Sequence, residues 1–211
     1  MINCYATGTV YSAGAGVGGV AGYVYEGTVA NCYSTGNVGG VAGITPTLAV
    51  GGVVGSSLYG NITNCYATGQ IASGGWGWYA GGIVGSIYNS SVSDCAALNP
   101  VVNYMTYSDG KHEFGRVAGY IDTGGTLTNN VAFDGMLNAN SPVSWGNIGP
   151  NSADGADLSA SDIIAASFWK TDAPNWSAWG STWITTEGKL PILTGLSGQD
   201  GAMPTYIAKN G

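Results

Sequence analysis

Four cysteines are the most reactive side chains of the sequence, and they recur at one position of a repeated pattern. Cys4, Cys32, Cys65 and Cys95 each follow Asn or Asp. An even number of cysteines is compatible with disulfides. Closely spaced cysteine pairs of the kind that bind zinc are absent, so no metal and no cofactor are expected. Cysteines stacked in neighbouring repeats should form a ladder of free buried thiols, because in-register strands orient sulfurs poorly for bridging.

Acid–base chemistry has few other candidates. The single histidine, His112, lies in a charged loop without a nucleophile signature, which predicts a solvated surface loop. A polysaccharide lyase or hydrolase needs paired carboxylates, or a base with neutralising cations, on one face. One set of residues could supply them: Asp94, Lys111, Arg116, Asp122 and Asp134. The regular repeats before Asp94 contain a single acid, Glu26, and no cation, so the chain is expected not to be an enzyme.

Composition narrows the class of protein. The net charge is −7, yet only 8% of the residues are charged and five are cationic, which argues against nucleic-acid binding. Low charge with abundant Gly, Ser, Thr, Asn and Tyr is typical of secreted, surface-exposed β-proteins. No run of residues is long and apolar enough to span a membrane, and no signal peptide precedes the repeats. Because the chain begins within a repeat, we expect it to be part of a longer protein.

The elements that must position these residues follow from the repeat itself. Asn64-Cys65-Tyr66-Ala67-Thr68-Gly69 has counterparts beginning at residues 3, 31, 94 and 129, at intervals of 28 to 35 residues. A second marker alternates with it, and its copies begin at Gly19, Gly52, Gly82 and Arg116. Such a period indicates a solenoid, propeller or array. Short runs of Val, Ile, Thr and Tyr between glycines indicate strands, and 37 glycines exclude a helical repeat.

The sequence therefore predicts an all-β fold, a right-handed parallel β-solenoid with one coil per repeat. Coils stacked about 4.8 Å apart would place equivalent residues above one another. Two aliphatic columns are predicted, namely Val29, Ile62, Val92 and Leu127, and Val20, Val53, Ile83 and Val117. Asn31, Asn64 and Asp94 would stack at a corner, and the glycines are expected to turn the corners with positive φ and to allow close approach of coils.

The regular pattern loosens after Asn99, and we divide the chain into a solenoid of four to five repeats over residues 1–135 and a C-terminal continuation and cap over residues 136–211. A short helix is expected over residues 160–168, capped by Ser159 or Ser161. Trp183 to Leu193 is typical of a hairpin with a tight turn. Because the last coil of a solenoid exposes its core, we expect these elements to cover that end.

The motif carries a family resemblance. Gly52-Val53-Val54-Gly55, followed by Gly60 to Gly69 with Cys-Tyr-Ala-Thr-Gly, resembles the GLUG repeat over residues 1 to about 98. The later part is similar to the C-terminal end of GLUG-containing proteins from gut Bacteroidales. The resemblance implies a bacterial, adhesin-like protein that is extracellular or at the cell surface. GLUG repeats also occur in non-catalytic parts of some immunoglobulin-A-cleaving metalloproteases, whose His-Glu-x-x-His signature is absent here.

These observations favour a non-enzymatic module for adhesion, structure or ligand display, with a host or microbial glycan or a surface protein as partner. The alternative is a carbohydrate-binding module in which exposed aromatic rings stack on sugars. Its candidate residues are Trp76, Trp78, Tyr79, Trp176 and Trp179. Structural roles for these rings, at the solenoid edge or in the cap, remain open. A column of Thr7, Thr35 and Thr68 is also expected, but it is too narrow to argue for ice binding.

Overall fold

The computed structural model describes residues 1–41, 49–73, 79–103, 113–138, 144–172 and 180–209. Short strands follow one another around successive coils. The first coil contains β1 (Ile2–Ala6), β2 (Val10–Ser12), β3 (Gly16–Gly18) and β4 (Ala21–Tyr25). The second contains β5 (Thr28–Ser34), β6 (Val38–Gly40), β7 (Ala49–Gly51) and β8 (Val54–Leu58). The third contains β9 (Asn61–Thr63), β10 (Tyr66–Ala67), β11 (Ile71–Ala72), β12 (Tyr79–Gly81) and β13 (Val84–Tyr88).

The fourth coil contains β14 (Ser91–Ser93), β15 (Ala96–Ala97), β16 (Val101–Asn103), β17 (Glu113–Gly115) and β18 (Ala118–Ile121). A final partial coil contains β19 (Thr126–Thr128), β20 (Val131–Phe133), β21 (Leu137–Asn138) and β22 (Ala156–Leu158). Equivalent strands of successive coils pair in parallel and form four sheets. Sheet A bends at the Asn-Cys step and contains β1, β5, β9, β10, β14, β15, β19, β20 and β22. Sheet B contains β2, β6, β11, β16 and β21. Sheet C contains β3, β7, β12 and β17, and sheet D contains β4, β8, β13 and β18.

The predicted parallel β-solenoid is confirmed, and its core includes the predicted columns. Val29 pairs with Ile62, Ile62 with Val92, and Val92 with Leu127. In the second column, the amide of Val53 donates to the carbonyl of Ile83 at 2.9 Å. The side chains of these columns are buried, apart from the half-buried Val20 of the first coil. Burial of each is worth about 2 kcal/mol, so stacking like on like supplies much of the stability.

The corners of the coils differ from the prediction. Asn3, Asn31, Asn64, Asp94 and Asn129 all have φ between 51° and 55°, so the left-handed backbone at this corner belongs to Asn and Asp. These are the non-glycine residues that tolerate that conformation best. Their amides also form the predicted ladder, because Asn64 Nδ2 donates to Asn31 Oδ1 at 3.2 Å and Asn31 Nδ2 donates to Asn3 Oδ1 at 3.0 Å. The prediction that the glycines of the coils adopt positive φ was wrong, because the described glycines with positive φ all lie at residue 149 or later.

Glycines of the coils instead mark places where a neighbouring coil leaves no room for a side chain. A Cβ on Gly52 would overlap with the carbonyl oxygen of Gly82, and a Cβ on Gly82 would overlap with that of Arg116. The same holds in the Thr-Gly step, where a Cβ on Gly69 would overlap with the carbonyl oxygen of Gly36. The predicted role of glycine in close approach is therefore confirmed.

Arg116 ends one of these glycine columns. It occupies the position of Gly52 and Gly82 in the last full coil, and it is 1% exposed. Its guanidinium donates to the carbonyls of Asp154 and Gly155 at 2.8 and 3.1 Å, and it lies 2.8 Å from the carboxylate of Asp157. The carbonyl of Ala153 also accepts from the amides of Val117 and Ala118, so these contacts together fix residues 153–158 on the end of the solenoid.

The C-terminal region adds the predicted short helix and hairpin. Helix α1 (Ala160–Ile164) is capped by Ser159, as expected, but it ends four residues early because Ala165 has an extended backbone. A π-helical turn, Phe168–Asp172, follows. Strands β23 (Trp183–Ile184) and β24 (Ile192–Leu193) pair antiparallel, and α2 (Thr205–Ala208) closes the described chain. No helix among the described residues is long and apolar enough to cross a membrane.

Candidate functional site

A column of tyrosines from the Cys-Tyr-Ala-Thr-Gly motif joins the solenoid to the C-terminal region. The rings of Tyr5 and Tyr33 stack with centroids 5.2 Å apart, and those of Tyr33 and Tyr66 stack at 4.8 Å. Each hydroxyl donates to the C-terminal region: Tyr5 to the Ser197 carbonyl, Tyr33 to Gln199 Oε1 and Tyr66 to the Pro191 carbonyl, at 2.8 to 2.9 Å. The hairpin therefore lies along the flank of the solenoid, where Trp183 packs against Tyr33 and Tyr66, and not over its end as expected.

The hydroxyls of Tyr33 and Tyr66 are buried between the solenoid and the C-terminal region, and burial favours the protonated, neutral form. It raises the pKa of Tyr33 and of Tyr66 above the ordinary value of 10.0, with smaller contributions from neighbouring tyrosines and from Asp200. Burial alone raises the pKa of Tyr206, whose hydroxyl lies 2.8 Å from the Thr68 carbonyl and 2.6 Å from the Leu98 carbonyl. A buried phenol that keeps its proton is a stable hydrogen-bond donor, so these contacts fix the C-terminal segment at neutral pH.

A groove remains open between the tyrosine column and the C-terminal segment, and we call it the flank groove. Its volume is about 740 Å³. One wall belongs to the solenoid and the other to residues 198–206. The lining side chains include hydroxyls, amides, one carboxylate and apolar groups: Thr7, Tyr33, Thr35, Asn37, Tyr66, Thr68, Gln70, Pro100, Leu190, Gln199, Asp200, Ala202, Pro204, Thr205 and Tyr206. This size and mixture are typical of ligand sites in proteins.

A second surface, on the outside of sheets C and D, is rich in tyrosine. We call it the tyrosine face, and it consists of Tyr23, Tyr25, Tyr59, Tyr79, Tyr88 and Tyr120. Tyr23, Tyr25 and Tyr59 are 53% to 58% exposed. Tyr23, Ser56, Ser86 and Tyr120 share one row across four coils, and Ser86 Oγ donates to Ser56 Oγ at 2.9 Å. The serines form the floor of a cleft of about 200 Å³ between the rings.

Tyr79 is the one aromatic residue predicted for sugar binding that the structure describes. It is half-buried, and its ring stacks on Tyr120 with centroids 4.7 Å apart. Burial, with contributions from Tyr88, Tyr120 and Glu113, raises its pKa to about 12. Trp76, Trp78, Trp176 and Trp179 lie outside the described residues. The predicted aromatic site is thus described at Tyr79 alone, where one face of the ring is already covered by protein.

Of the residues considered for acid–base chemistry, the structure describes Asp94, Arg116, Asp122 and Asp134, and no hydrogen bond or ion pair joins these four to one another. Asp94 accepts from Asn129 at one corner, and burial raises the pKa of its carboxyl. Asp122 accepts from the amide of Asn89 at another corner, while Arg116 is held by the end of the solenoid. Asp134 is exposed, and Lys111 and His112 lie outside the described residues. In the described ranges, these charged groups make structural contacts between coils.

All four cysteines are free, and Cys32, Cys65 and Cys95 are buried. Cys4 and Cys32 are paired in register, and each buried thiol donates to the carbonyl two residues before it, at 3.1 to 3.2 Å. A hydrogen bond with Cys65, together with burial, raises the pKa of Cys32, and burial raises that of Cys65. The ladder of free thiols is confirmed, and the raised pKa values of Cys32 and Cys65 disfavour the reactive thiolate at those two positions. Among the described residues, no three His, Cys, Asp or Glu side chains are grouped so that they could hold a metal.

Sequence reasoning missed the flank groove. It predicted the column of Thr7, Thr35 and Thr68, but not the opposite wall, which contains Gln199, Asp200 and Tyr206. One signal was available, since a tyrosine repeated at a buried position needs a partner for each hydroxyl. Those partners are mostly backbone carbonyls of a segment more than a hundred residues away, and a carbonyl has no sequence signature.

Comparisons with known proteins support the repeat. The family model described as "The GLUG motif" matches residues 13–39, 47–72 and 77–103. The crystal structure of a Bacteroides ovatus protein that carries the provisional name immunoglobulin A1 protease is similar, with a TM-score of 0.62 and 23% identity. The match covers 92% of this chain and 57% of that one, so this chain spans little more than half of that protein and shares its fold. Among curated proteins there is no significant match. The chain therefore carries three copies of the GLUG motif, and each copy runs from the second half of one coil into the first half of the next.

Proposed function

We propose that this chain is a non-enzymatic, extracellular repeat module that adheres through its tyrosine face to a protein on another surface. The observation that carries the proposal is the exposure of Tyr23 and Tyr25 on β4 and of Tyr59 in the turn after β8, the strand that pairs with β4. Tyrosine supplies a large amphipathic contact area and loses little conformational entropy on binding. Tyrosine is accordingly enriched in the cores of protein interfaces, from which Lys, Glu and Asp are depleted.

The residues around these tyrosines are also of the kind found in protein interfaces. Tyr25 and Tyr59 meet edge to face with centroids 6.2 Å apart, which fixes both rings before a partner arrives. Serine and glycine lie between the tyrosines, and the low charge of the coils leaves little to repel a partner of either sign. Preorganised aromatic anchors with small polar neighbours are the chemistry that antibody paratopes use.

The non-enzymatic part of the proposal rests on what the charged residues do. Asp94, Arg116 and Asp122 each hydrogen-bond to a neighbouring coil or to the segment that closes the solenoid, so their polar atoms already have partners. A general acid or base needs a polar atom directed at a substrate. Incubation of the chain with immunoglobulin A1 should leave that protein intact, and specific cleavage would contradict this part of the proposal.

Adhesion can be tested with beads coated with the chain on monolayers of intestinal epithelial cells. Replacement of Tyr23, Tyr25 and Tyr59 by Ser should lower the number of bound beads at least a hundredfold, since each tyrosine anchor buried in the contact contributes about 1 to 2 kcal/mol. Tyr11→Ser is the matched control, because Tyr11 is 59% exposed on sheet B, away from the tyrosine face. Equal adhesion of the triple variant and the wild type would overturn the proposal.

The class of partner can be separated in the same assay. If the partner is a protein, brief protease treatment of the cells should abolish bead binding, while removal of cell-surface glycans should leave it unchanged. The opposite pattern would contradict a protein partner. Extracellular location is tested by an antibody against the chain, which should label intact cells of the producing organism, whereas labelling only after permeabilisation would contradict it.

A further inference from the structure

We propose that the flank groove binds a neutral oligosaccharide chain that runs along the solenoid axis. This site is separate from the tyrosine face, because its solenoid wall lies at the ends of sheet A strands and in the turns that follow them, whereas the tyrosine face lies on sheets C and D. It is also separate from the aromatic residues that the sequence suggested for sugar binding.

The solenoid wall offers a ladder of hydroxyl groups at regular spacing. The amide of Thr35 donates to the Ala6 carbonyl and that of Thr68 to the Ser34 carbonyl, both at 3.0 Å, so Thr7, Thr35 and Thr68 lie one above another. Neighbouring rungs are therefore about 4.8 Å apart, the spacing of strands in a sheet. Within the described part of the chain, the three side-chain hydroxyls have no hydrogen-bond partner. Thr7 and Thr35 are exposed to a ligand that presents hydroxyls in series, while Thr68 lines the groove at a buried position and is 6% exposed.

Amide groups extend the ladder on the same wall. Asn37 Oδ1 accepts from the amide of Gln70 at 2.9 Å, which fixes the orientation of the Asn37 side chain. Its Nδ2 atom and the exposed side-chain amide of Gln70 are then available as donors and acceptors. Paired donors and acceptors at fixed positions suit the hydroxyls of a sugar, each of which can both donate and accept.

The C-terminal wall is held in place by the protein itself. Gln199 accepts from Tyr33 at 2.9 Å and from the amide of Leu193 at 2.8 Å, and its Nε2 atom donates to the Leu193 carbonyl at 2.9 Å. In the neighbouring residue, Asp200, the Oδ1 atom accepts a hydrogen bond from the amide of Ala202 at 3.0 Å. Its Oδ2 atom is left as an acceptor for a ligand hydroxyl, and hydrogen bonds to charged acceptors are the strong ones.

The charge of the residues that line the flank groove favours a neutral ligand over an acidic one. Among the described residues that line the groove, Asp200 is the one that carries a charge. An acidic polysaccharide would place its carboxylates beside Asp200 without a cation to compensate, which is unfavourable in a partly desolvated groove. Leu190, Pro100 and Pro204 add apolar surface between the polar groups, which suits the apolar faces of sugar rings. A neutral polyhydroxylated chain therefore fits both the charge and the mixed polarity.

The proposal is tested by titration calorimetry on the intact chain with four neutral hexasaccharides (cello-, xylo-, manno- and malto-) and with hexagalacturonate as the acidic probe. We expect at least one neutral probe to bind and hexagalacturonate to bind at least tenfold more weakly. Failure of all four neutral probes to bind, or equal binding of the acidic one, would overturn the proposal.

Variants locate the site. Thr35→Val keeps the shape of the side chain, and it should weaken binding of the neutral probe about fivefold, the equivalent of one hydrogen bond. Asp200→Asn should weaken it about tenfold and reduce the discrimination against hexagalacturonate. Thr126→Val is the matched control, since Thr126 is an exposed strand residue outside the groove. If Thr35→Val and the control bind alike, the groove is not the site. The tyrosine-face variants should bind the sugar normally, so the two proposals fail separately.

Discussion

Glycine has opposite roles in the two regions of this molecule. In the coils, left-handed backbone belongs to Asn, Asp and a few other non-glycine residues, whereas glycines occur where a neighbouring coil would collide with a Cβ. In the C-terminal region, Gly155, Gly188, Gly195, Gly198 and Gly201 all have φ between 60° and 80°, the conventional use of glycine in turns. In the stacked repeat, the positions of glycine are therefore decided by the space between coils. In the loop-rich region, they are decided by the backbone conformation of each turn.

The contacts of the two regions differ in the same way. Each coil repeats one set of contacts with the next, as in the columns of Val29 to Leu127 and of Asn3 to Asn64. The C-terminal region makes contacts that occur once, such as Gln199 with Tyr33 and Arg116 with residues 154–157. A repeated contact can be recognised in a sequence because its residues recur, and a single contact cannot.

The largest loss of stability is expected from a substitution of a glycine that lies between two coils. Gly82→Val should destabilise the protein by about 3 kcal/mol or more, because the new side chain would collide with the carbonyl of Arg116. Gly188→Ala in the hairpin turn, where no atom lies within 4 Å, should cost only about 1 kcal/mol for its φ of +74°. Urea unfolding of both variants measures the difference, and equal losses would remove the contrast between the two regions.

The next effect concerns the end of the solenoid. Arg116→Met should cost about 3 kcal/mol, because it leaves buried carbonyls of residues 154 and 155 without a donor. Asp157→Asn is the control, since the Asp157 side chain is 55% exposed and its ion pair should contribute less than about 1 kcal/mol. The midpoint of urea unfolding reports both. A loss from Asp157→Asn as large as that from Arg116→Met would show that the ion pair, not the carbonyl contacts, closes the solenoid.

A smaller effect is expected at the junction of the two regions. Tyr66→Phe should cost about 1 to 2 kcal/mol, because the hydroxyl is buried and the Pro191 carbonyl would lose its donor. Tyr5→Phe, at the half-buried end of the same column, should cost less than about 1 kcal/mol because water can replace the hydroxyl. Thermal unfolding distinguishes them. If the Tyr5 variant is the less stable of the two, the column does not anchor the C-terminal segment as described.

The smallest effect is a pH dependence that arises from the same column. The folded-state pKa values of Tyr33 and Tyr66 lie above 10.0, so the folded state holds protons that the unfolded chain releases as pH rises through 10. This stability is complete at lower pH and should decline between about pH 10 and the higher folded-state values. Urea unfolding from pH 8 to 11 should show a fall that begins near pH 9, where the unfolded chain releases the Cys32 and Cys65 protons, and that steepens above pH 10. Tyr66→Phe should make the part above pH 10 shallower. Constant stability up to pH 11 would contradict the assignment.

The solenoid could be predicted from the sequence, and much of the candidate site could not. Val29, Ile62, Val92 and Leu127 recur at one position of the repeat, and stacking is the simplest way to bury them together. The start of α1 was predictable because Ser159 is a local capping signal. The flank groove depends on where residues 198–206 dock, which is decided by single hydrogen bonds to distant tyrosines. The division at residues 135 and 136 stays a prediction.

Register between coils is the feature on which everything else depends, and methyl–methyl nuclear Overhauser contacts measure it directly. In a sample labelled at Ile, Leu and Val methyl groups, we expect contacts from Val29 to Ile62, from Ile62 to Val92 and from Val92 to Leu127. Contacts should also link Val53 to Ile83 and Ile83 to Val117. A pattern in which Ile62 contacts neither Val29 nor Val92 would contradict the stacked solenoid and both binding surfaces built on it.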